Sequence, residues 1–137
     1  MQASIMVYCR TNAGCQYVSY SADGGDVFSP FKPSNIPSPL SPASIERIPR
    51  TGDLLLVWNN NPVTNWRTPL NVAVSKDEGE TWQNIKALEY DPNGWYCYTA
   101  ICFVRDRVLL GYYAGKRNGV GLSATQLTSL DTDWLYR

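Results

Sequence analysis

The chain has no histidine. That absence removes serine–histidine and cysteine–histidine catalysis from a chain acting alone, and with it the commonest zinc ligand. An excess of charge is missing too: 12 Lys and Arg balance 12 Asp and Glu. A neutral chain projects no strong field toward nucleic acid or an anionic membrane, so neither is an expected partner. Although 44% of the residues are apolar, no run approaches the length that crosses a bilayer. The opening MQASIMVYCR carries no basic leader, and its apolar run is short for a secretory signal. Four cysteines are present, Cys9, Cys15, Cys97 and Cys102, and none forms a CxxC pair. Free thiols are their expected state, and no metal or other cofactor is expected. Such thiols lean toward a reducing, cytoplasmic compartment but leave localisation open.

What is present reads as β structure. At 137 residues the chain can form one domain with a real core. No amphipathic helix of useful length stands out, whereas short runs bounded by Gly, Pro, Asn and Asp recur. These runs predict strands at Ser4–Arg10, Gln16–Tyr20, Ser44–Ile48, Leu54–Trp58, Leu70–Val74, Gln83–Leu88, Tyr98–Val104, Val108–Tyr113 and Gly119–Gln126. LLLVW and VLLGYY read as buried on both faces. The proline-rich SPFKPSNIPSPLSP reads as a rigid connection between two sheets, because strands resume on both sides of it.

One turn occurs twice. SADGGDVF (Ser21 to Phe28) and SKDEGETW (Ser75 to Trp82) share a hydroxyl, an acid, a glycine and a closing aromatic at the same offsets. Each follows a strand (QYVSY, LNVAV) that is itself preceded by a loop with an arginine, Arg10 or Arg67. A repeat of about fifty residues with four short strands suits a propeller blade. The chain then holds about three blades: residues 1–40 without their innermost strand, 41–92 complete, and 93–137 with no clear fourth strand unless DTDWLYR supplies one. In this layout the repeated turn joins third and fourth strands. Its acid caps backbone N–H groups and its glycine supplies positive φ, so Asp23 and Asp77 are structural and not catalytic. Alternating strand direction puts Arg10, Arg67 and the start of the Tyr98 strand on the opposite face. Asn59, Asn61, Trp66, Lys116, Arg117 and Asn118 belong there as well. A cationic, amide-rich and aromatic rim of this kind suits an anionic sugar.

SKDEGETW matches the S-x-D-x-G-x-T-W Asp-box, and SADGGDVF matches it with Val for Thr and Phe for Trp. The chain therefore resembles the sialidase (neuraminidase) superfamily of Asp-box, or BNR, repeat proteins. RTNAGCQYVSYSADGG resembles the segment with the second arginine of that family's carboxylate-binding triad. NPVTNWRTPLNVAVS resembles the segment with the third, and YCYTAI followed by VLLGYY resembles the segment with the tyrosine nucleophile. The resemblance covers nearly the whole chain, but only the C-terminal half of a six-bladed sialidase. It implies an all-β fold of about three four-stranded blades from a six-bladed propeller. It also implies Tyr98 as nucleophile and Arg10 and Arg67 as ligands for the carboxylate of a sialic-acid-like sugar, with Asn59 and Trp66 beside them. The family's first arginine, its acid/base aspartate and the glutamate that partners the tyrosine belong to the other half and are not identifiable here. Ala114 stands where the family tends to carry a glutamate.

The residue types fit that chemistry. Guanidinium forks hold a carboxylate bidentately. A phenol suits attack on an anomeric carbon that already bears a carboxylate, which would repel a carboxylate nucleophile. A phenol also needs a base, and the sequence offers no candidate on that face; Glu46 lies on the first strand of the second blade, but the sequence does not set the direction of its side chain. Tyr96 is the alternative nucleophile, expected on the same strand face as Tyr98. Singly, each residue has a plainer reading: Arg67 with Trp66 as a surface cation–π pair, Arg10 as a loop charge, Tyr98 as a packed strand residue. Three functions follow. The chain is a sialidase-like glycoside hydrolase half, inactive alone for want of an acid/base; or a non-catalytic sugar-binding module; or a structural propeller fragment. Three blades do not close a ring, so the expectation is either a homodimer that completes it or an N-terminal half that is a separate polypeptide or was lost.

Overall fold

The computed structural model describes residues 4–120 and 122–137. It is all-β apart from one short 3₁₀ turn, with three antiparallel sheets, none of them closed. The first sheet runs β1 (Ile5–Cys9), β2 (Cys15–Ser21), β3 (Lys32–Pro37). The second runs β4 (Ser44–Arg47), β5 (Leu54–Trp58), β6 (Leu70–Ser75), β7 (Gln83–Glu89). The third comprises β8 (Gly94–Val104), β9 (Arg107–Lys116) and β10 (Ala124–Asp131). Every strand pairs with its sequence neighbour, as short connections dictate.

The second sheet is the middle layer, and its period-2 pattern explains why. Leu55, Val57, Leu70, Val72 and Val74 pack with Val108, Leu110, Tyr112 and Leu135 of the third-sheet side. Leu56, Trp58 and Ala73 pack the other way, with Ile36 and Tyr8 of the first sheet. All five residues of β5 are buried, as a strand covered on both faces requires.

VLLGYY differs from that expectation. Val108, Leu110 and Tyr112 are buried, while Leu109 is half-buried and Tyr113 exposed. Among the described residues no sheet lies over its outward face, with Ala100, Cys102, Val104 and Leu127. Three further corrections concern strand assignments. The proline-rich segment is not only a connection, because β3 lies inside it. Pro33 and Pro37 are tolerated because β3 pairs on one side only, so their missing N–H groups are not needed. The strand expected at Gly119–Gln126 begins at Ala124 and runs to Asp131, and Gly121 lies outside the described residues. DTDWLYR supplies no further strand: its Asp131 ends β10. Thr132–Tyr136 is a 3₁₀ turn capped by Asp131 and held by Thr132, which donates to the Asp106 carbonyl. Its Leu135 plugs the core between the second and third sheets.

The repeated turns link β2 to β3 and β6 to β7, at the far strand ends from Arg10 and Arg67. In the second turn Ser75 Oγ donates to Asp77 Oδ1 (2.8 Å) and accepts from Gly79 N–H (2.8 Å). Asp77 also takes the Thr81 N–H and hydroxyl at 2.8 and 2.6 Å. Ser21, Asp23 and Gly25 repeat the first part of this network. Hydrogen bonds hold both carboxyls below the usual carboxylate range: to Asp23 chiefly from Ser21 and the Val27 N–H, to Asp77 chiefly from the Thr81 side chain and N–H. Gly79 has φ +90° and lies against Tyr8 and Met6, so a side chain there would be strained and crowded.

Ser75 is buried. Ser75→Ala leaves the buried Gly79 N–H without an acceptor and is expected to cost about 1–3 kcal/mol. A urea midpoint unchanged from the parent protein would show that the turn does not depend on this hydroxyl.

Candidate functional site

Three elements from three sheets meet at the end opposite the repeated turns. The β1–β2 loop carries Arg10. Its turn is closed by Thr11, whose hydroxyl donates to the Cys15 carbonyl (2.7 Å) and accepts from Ala13 N–H (3.1 Å). The β5–β6 loop carries Arg67. Asn61 braces this loop from within, donating to Thr64 Oγ1 and to the Thr68 carbonyl. The Arg67 carbonyl accepts from Tyr96 N–H (2.8 Å), which ties the loop to β8.

β8 supplies Tyr98 through a backbone irregularity. The β8–β9 register slips between Cys97 and Ala100, and Tyr98 has φ +56°. A bulge of this kind re-aims a side chain that strict alternation would place elsewhere. Left-handed backbone is rare for a bulky residue and is commonest where a site requires it. The result corrects the expected pairing of the two tyrosines. Tyr96 is buried in the core with its ring edge-on to Tyr112, whereas Tyr98 is 46% exposed.

The three named residues come together. Arg10 Nη1 donates to Tyr98 Oη at 3.4 Å. The Arg67 guanidinium lies 5.4 Å from the Tyr98 ring centre and 5.7 Å from that of Trp95. Tyr113 meets Tyr98 edge-on. Arg67 also donates to Cys97 Sγ (2.9 Å) and weakly to the Leu40 carbonyl (3.5 Å). Those bonds use two of its five N–H groups. The hydrogen bond from Arg10, and then Arg67, draw the Tyr98 phenol below its ordinary pKa of 10.0. A polar cleft of about 170 Å³ lies between the β1–β2 and β5–β6 loops, lined by Asn12, Gly14, Ser38, Thr64 and Asn65 among others.

The other candidates sit elsewhere. Asn59 is buried. Its amide accepts from Ser41 Oγ (2.6 Å) and donates to the Pro69 and Tyr96 carbonyls, so it props up the loop from beneath and presents nothing to a ligand. Trp66 is exposed, but its ring stacks under Arg117 at 3.5 Å and not under Arg67. Lys116 pairs with Asp91. Glu46 lines a cavity between β1 and β4. Carboxylates do partner two other tyrosines, Glu89 with Tyr112 and Asp53 with Tyr136. Among the described residues none hydrogen-bonds Tyr98. Nor do three Cys, Asp or Glu side chains converge as a metal site there.

Sequence reasoning missed Trp95, Cys97 and Tyr113. The dense run GWYCY was the only signal for Trp95 and Cys97, and strand alternation put Tyr96 on the same face as Tyr98.

A family model described as BNR repeat-like domain matches residues 1–113. The match includes both arginine loops, both repeated turns and Tyr98, and it ends within β9. No curated protein sequence matches this chain significantly.

Proposed function

Because this chain belongs to the BNR repeat-like family, whose Asp-box repeats place it in the sialidase-like superfamily, we propose that its sheets are three blades of a six-bladed propeller. The blades are residues 1–40, 41–92 and 93–137. Arg10, Arg67 and Tyr98 bind the carboxylate and ring of a sialic-acid-like sugar, with Trp95 beside them. The observation that carries this reading is the convergence of two guanidiniums from separate loops on one exposed phenol. Two arginine forks without a facing carboxylate form a cationic recess, which an anionic ligand neutralises. The neighbouring polar cleft offers Asn12 and Asn65 to sugar hydroxyls.

Turnover is a separate matter. A lowered phenol pKa favours the nucleophilic form of Tyr98, but among the described residues no carboxylate hydrogen-bonds it to take its proton. General acid–base help is worth about 10²–10⁴ in rate. The chain alone is therefore a binding half-site, and hydrolysis requires the acid/base of three further blades.

The test uses the phenol as reporter. Ultraviolet titration of the protein should show one tyrosine ionising below the usual range, absent in Tyr98→Phe. Binding and ionisation are linked, so N-acetylneuraminic acid, by neutralising the arginines, should raise that pKa. A neutral hexose should not. If saturating N-acetylneuraminic acid leaves the titration unmoved, the sugar reading fails.

A further inference from the structure

Three connections at the end that holds Arg10, Arg67 and Tyr98 are tied into one rim. They are residues 59–69 between β5 and β6, 90–93 between β7 and β8, and 117–123 between β9 and β10. The Arg117 guanidinium stacks 3.5 Å from the Trp66 ring centre. Arg117 also donates from its backbone N–H to the Asn93 carbonyl (2.7 Å) and from Nη2 to Asn93 Oδ1 (3.2 Å). Thr68 Oγ1 donates to the Asp91 carbonyl (2.7 Å). Each connection carries one bare apolar tip. Val63, Tyr90 and Val120 are 89%, 78% and 76% exposed, the three most exposed large hydrophobic side chains among the described residues. Trp66 and Leu122, on the same connections, are exposed as well. Single apolar residues on a surface are ordinary. Several on loops braced against one another form a patch, and such patches mark contact with another surface.

Charge is divided between the two ends of the molecule. The connections at this end, with 10–14 and 38–43, hold Arg10, Arg67 and Arg117 against one acid, Asp91. Asp91 is already paired with Lys116, the last residue of β9. The connections at the other end, 22–31, 48–53, 76–82 and 105–106, together with residues 132–137, hold eight acids and four bases. Overall neutrality conceals this polarity. Among the described residues none of the three arginines has an ion-pair partner. They share one end with the apolar tips, and the acidic end points away.

We propose that this end docks on an anionic lipid bilayer. Val63, Tyr90 and Val120 enter the headgroup boundary, Trp66 lies at its level, and the arginines meet the anionic headgroups. Apolar insertion joined to attraction for anionic lipid is the combination that holds a protein on a membrane without crossing it. Trp and Tyr favour the same interface. A polyanion in water would satisfy the arginines but leave the apolar tips wet, so a bilayer fits both features and a soluble polyanion only one. Neither the tips nor the division of charge depends on the sugar reading, and the vesicles used as probe carry no sugar.

The full chain is floated with vesicles of phosphatidylcholine, with and without about one-third phosphatidylserine, at about 0.1 M salt, where charges are felt over about 10 Å. Each basic residue near an anionic leaflet is worth about fivefold in partitioning, so the phosphatidylserine vesicles should bind at least about tenfold more tightly. Val63→Ser combined with Val120→Ser should weaken that binding about tenfold or more, with the urea midpoint unchanged because both side chains are exposed. Val27→Ser, which alters a bare valine at the acidic end, should leave it as it was. Binding that survives the paired substitution, or that Val27→Ser weakens equally, would overturn the proposal. So would a chain that stays unbound at millimolar lipid, and its capture by heparin would then name a soluble polyanion as the occupant instead.

Discussion

Replacing Arg67 by alanine is expected to lower the affinity for N-acetylneuraminic acid by about a hundredfold or more. A charge-assisted hydrogen bond is worth about 1.5–3 kcal/mol, a bidentate fork makes two, and about 1.4 kcal/mol corresponds to each tenfold in affinity. Arg67 is half-buried, held over Tyr98 and Trp95 and tied to Cys97, so its orientation is set before a ligand arrives. Preorganisation of that kind is lost in full on truncation. Arg67→Lys should restore little, because an ammonium has no fork. Arg10 is exposed, so Arg10→Ala should cost less. Calorimetric titration ranks the three variants. Affinity unchanged in Arg67→Ala would remove Arg67 from the site.

Leu110→Ala is the substitution expected to cost the fold most. Leu110 is fully buried in the middle of β9, in the cluster that joins the third sheet to the second. A leucine truncated in such a position loses about 2–5 kcal/mol, against a total stability of about 5–15 kcal/mol for a typical domain. Leu127, on β10 and 70% exposed on the outward face of the same sheet, provides the contrast. Its replacement by alanine should stay within about 0.5 kcal/mol in the monomer. Urea unfolding of both variants checks the layer assignment, and equal losses would refute it.

The features that could be read from the chain are those carried by local and repeated chemistry. Ser21 and Ser75 each open a turn whose bonding is complete within a few residues, so spacing alone revealed it. The turns in turn set strand direction, and strand direction put Arg10, Arg67 and Tyr98 at one end. β3 stayed hidden because proline argues against a strand unless its edge position is known. That position depends on which sheet neighbour is absent. The 3₁₀ turn at Thr132–Tyr136 is held by Asp106 and by the core under Leu135, both remote in sequence. The face taken by Tyr98 was illegible for another reason. A register slip inverts the alternation downstream of it, and nothing in GWYCYTA marks where the slip falls. Asn59 was misplaced because an amide beside a loop looks the same whether it faces solvent or braces two backbone carbonyls and a serine hydroxyl.

The left-handed backbone at Tyr98 carries an evolutionary consequence. A β-branched residue is excluded there, glycine or asparagine would sit without strain, and tyrosine pays in stability for keeping its ring among the arginines. Random drift therefore favours losing the ring as soon as it stops being useful. Among relatives of this chain, a tyrosine kept at this position reports that selection still acts on the site. A glycine or asparagine in its place marks a copy whose sheets persist only as scaffold.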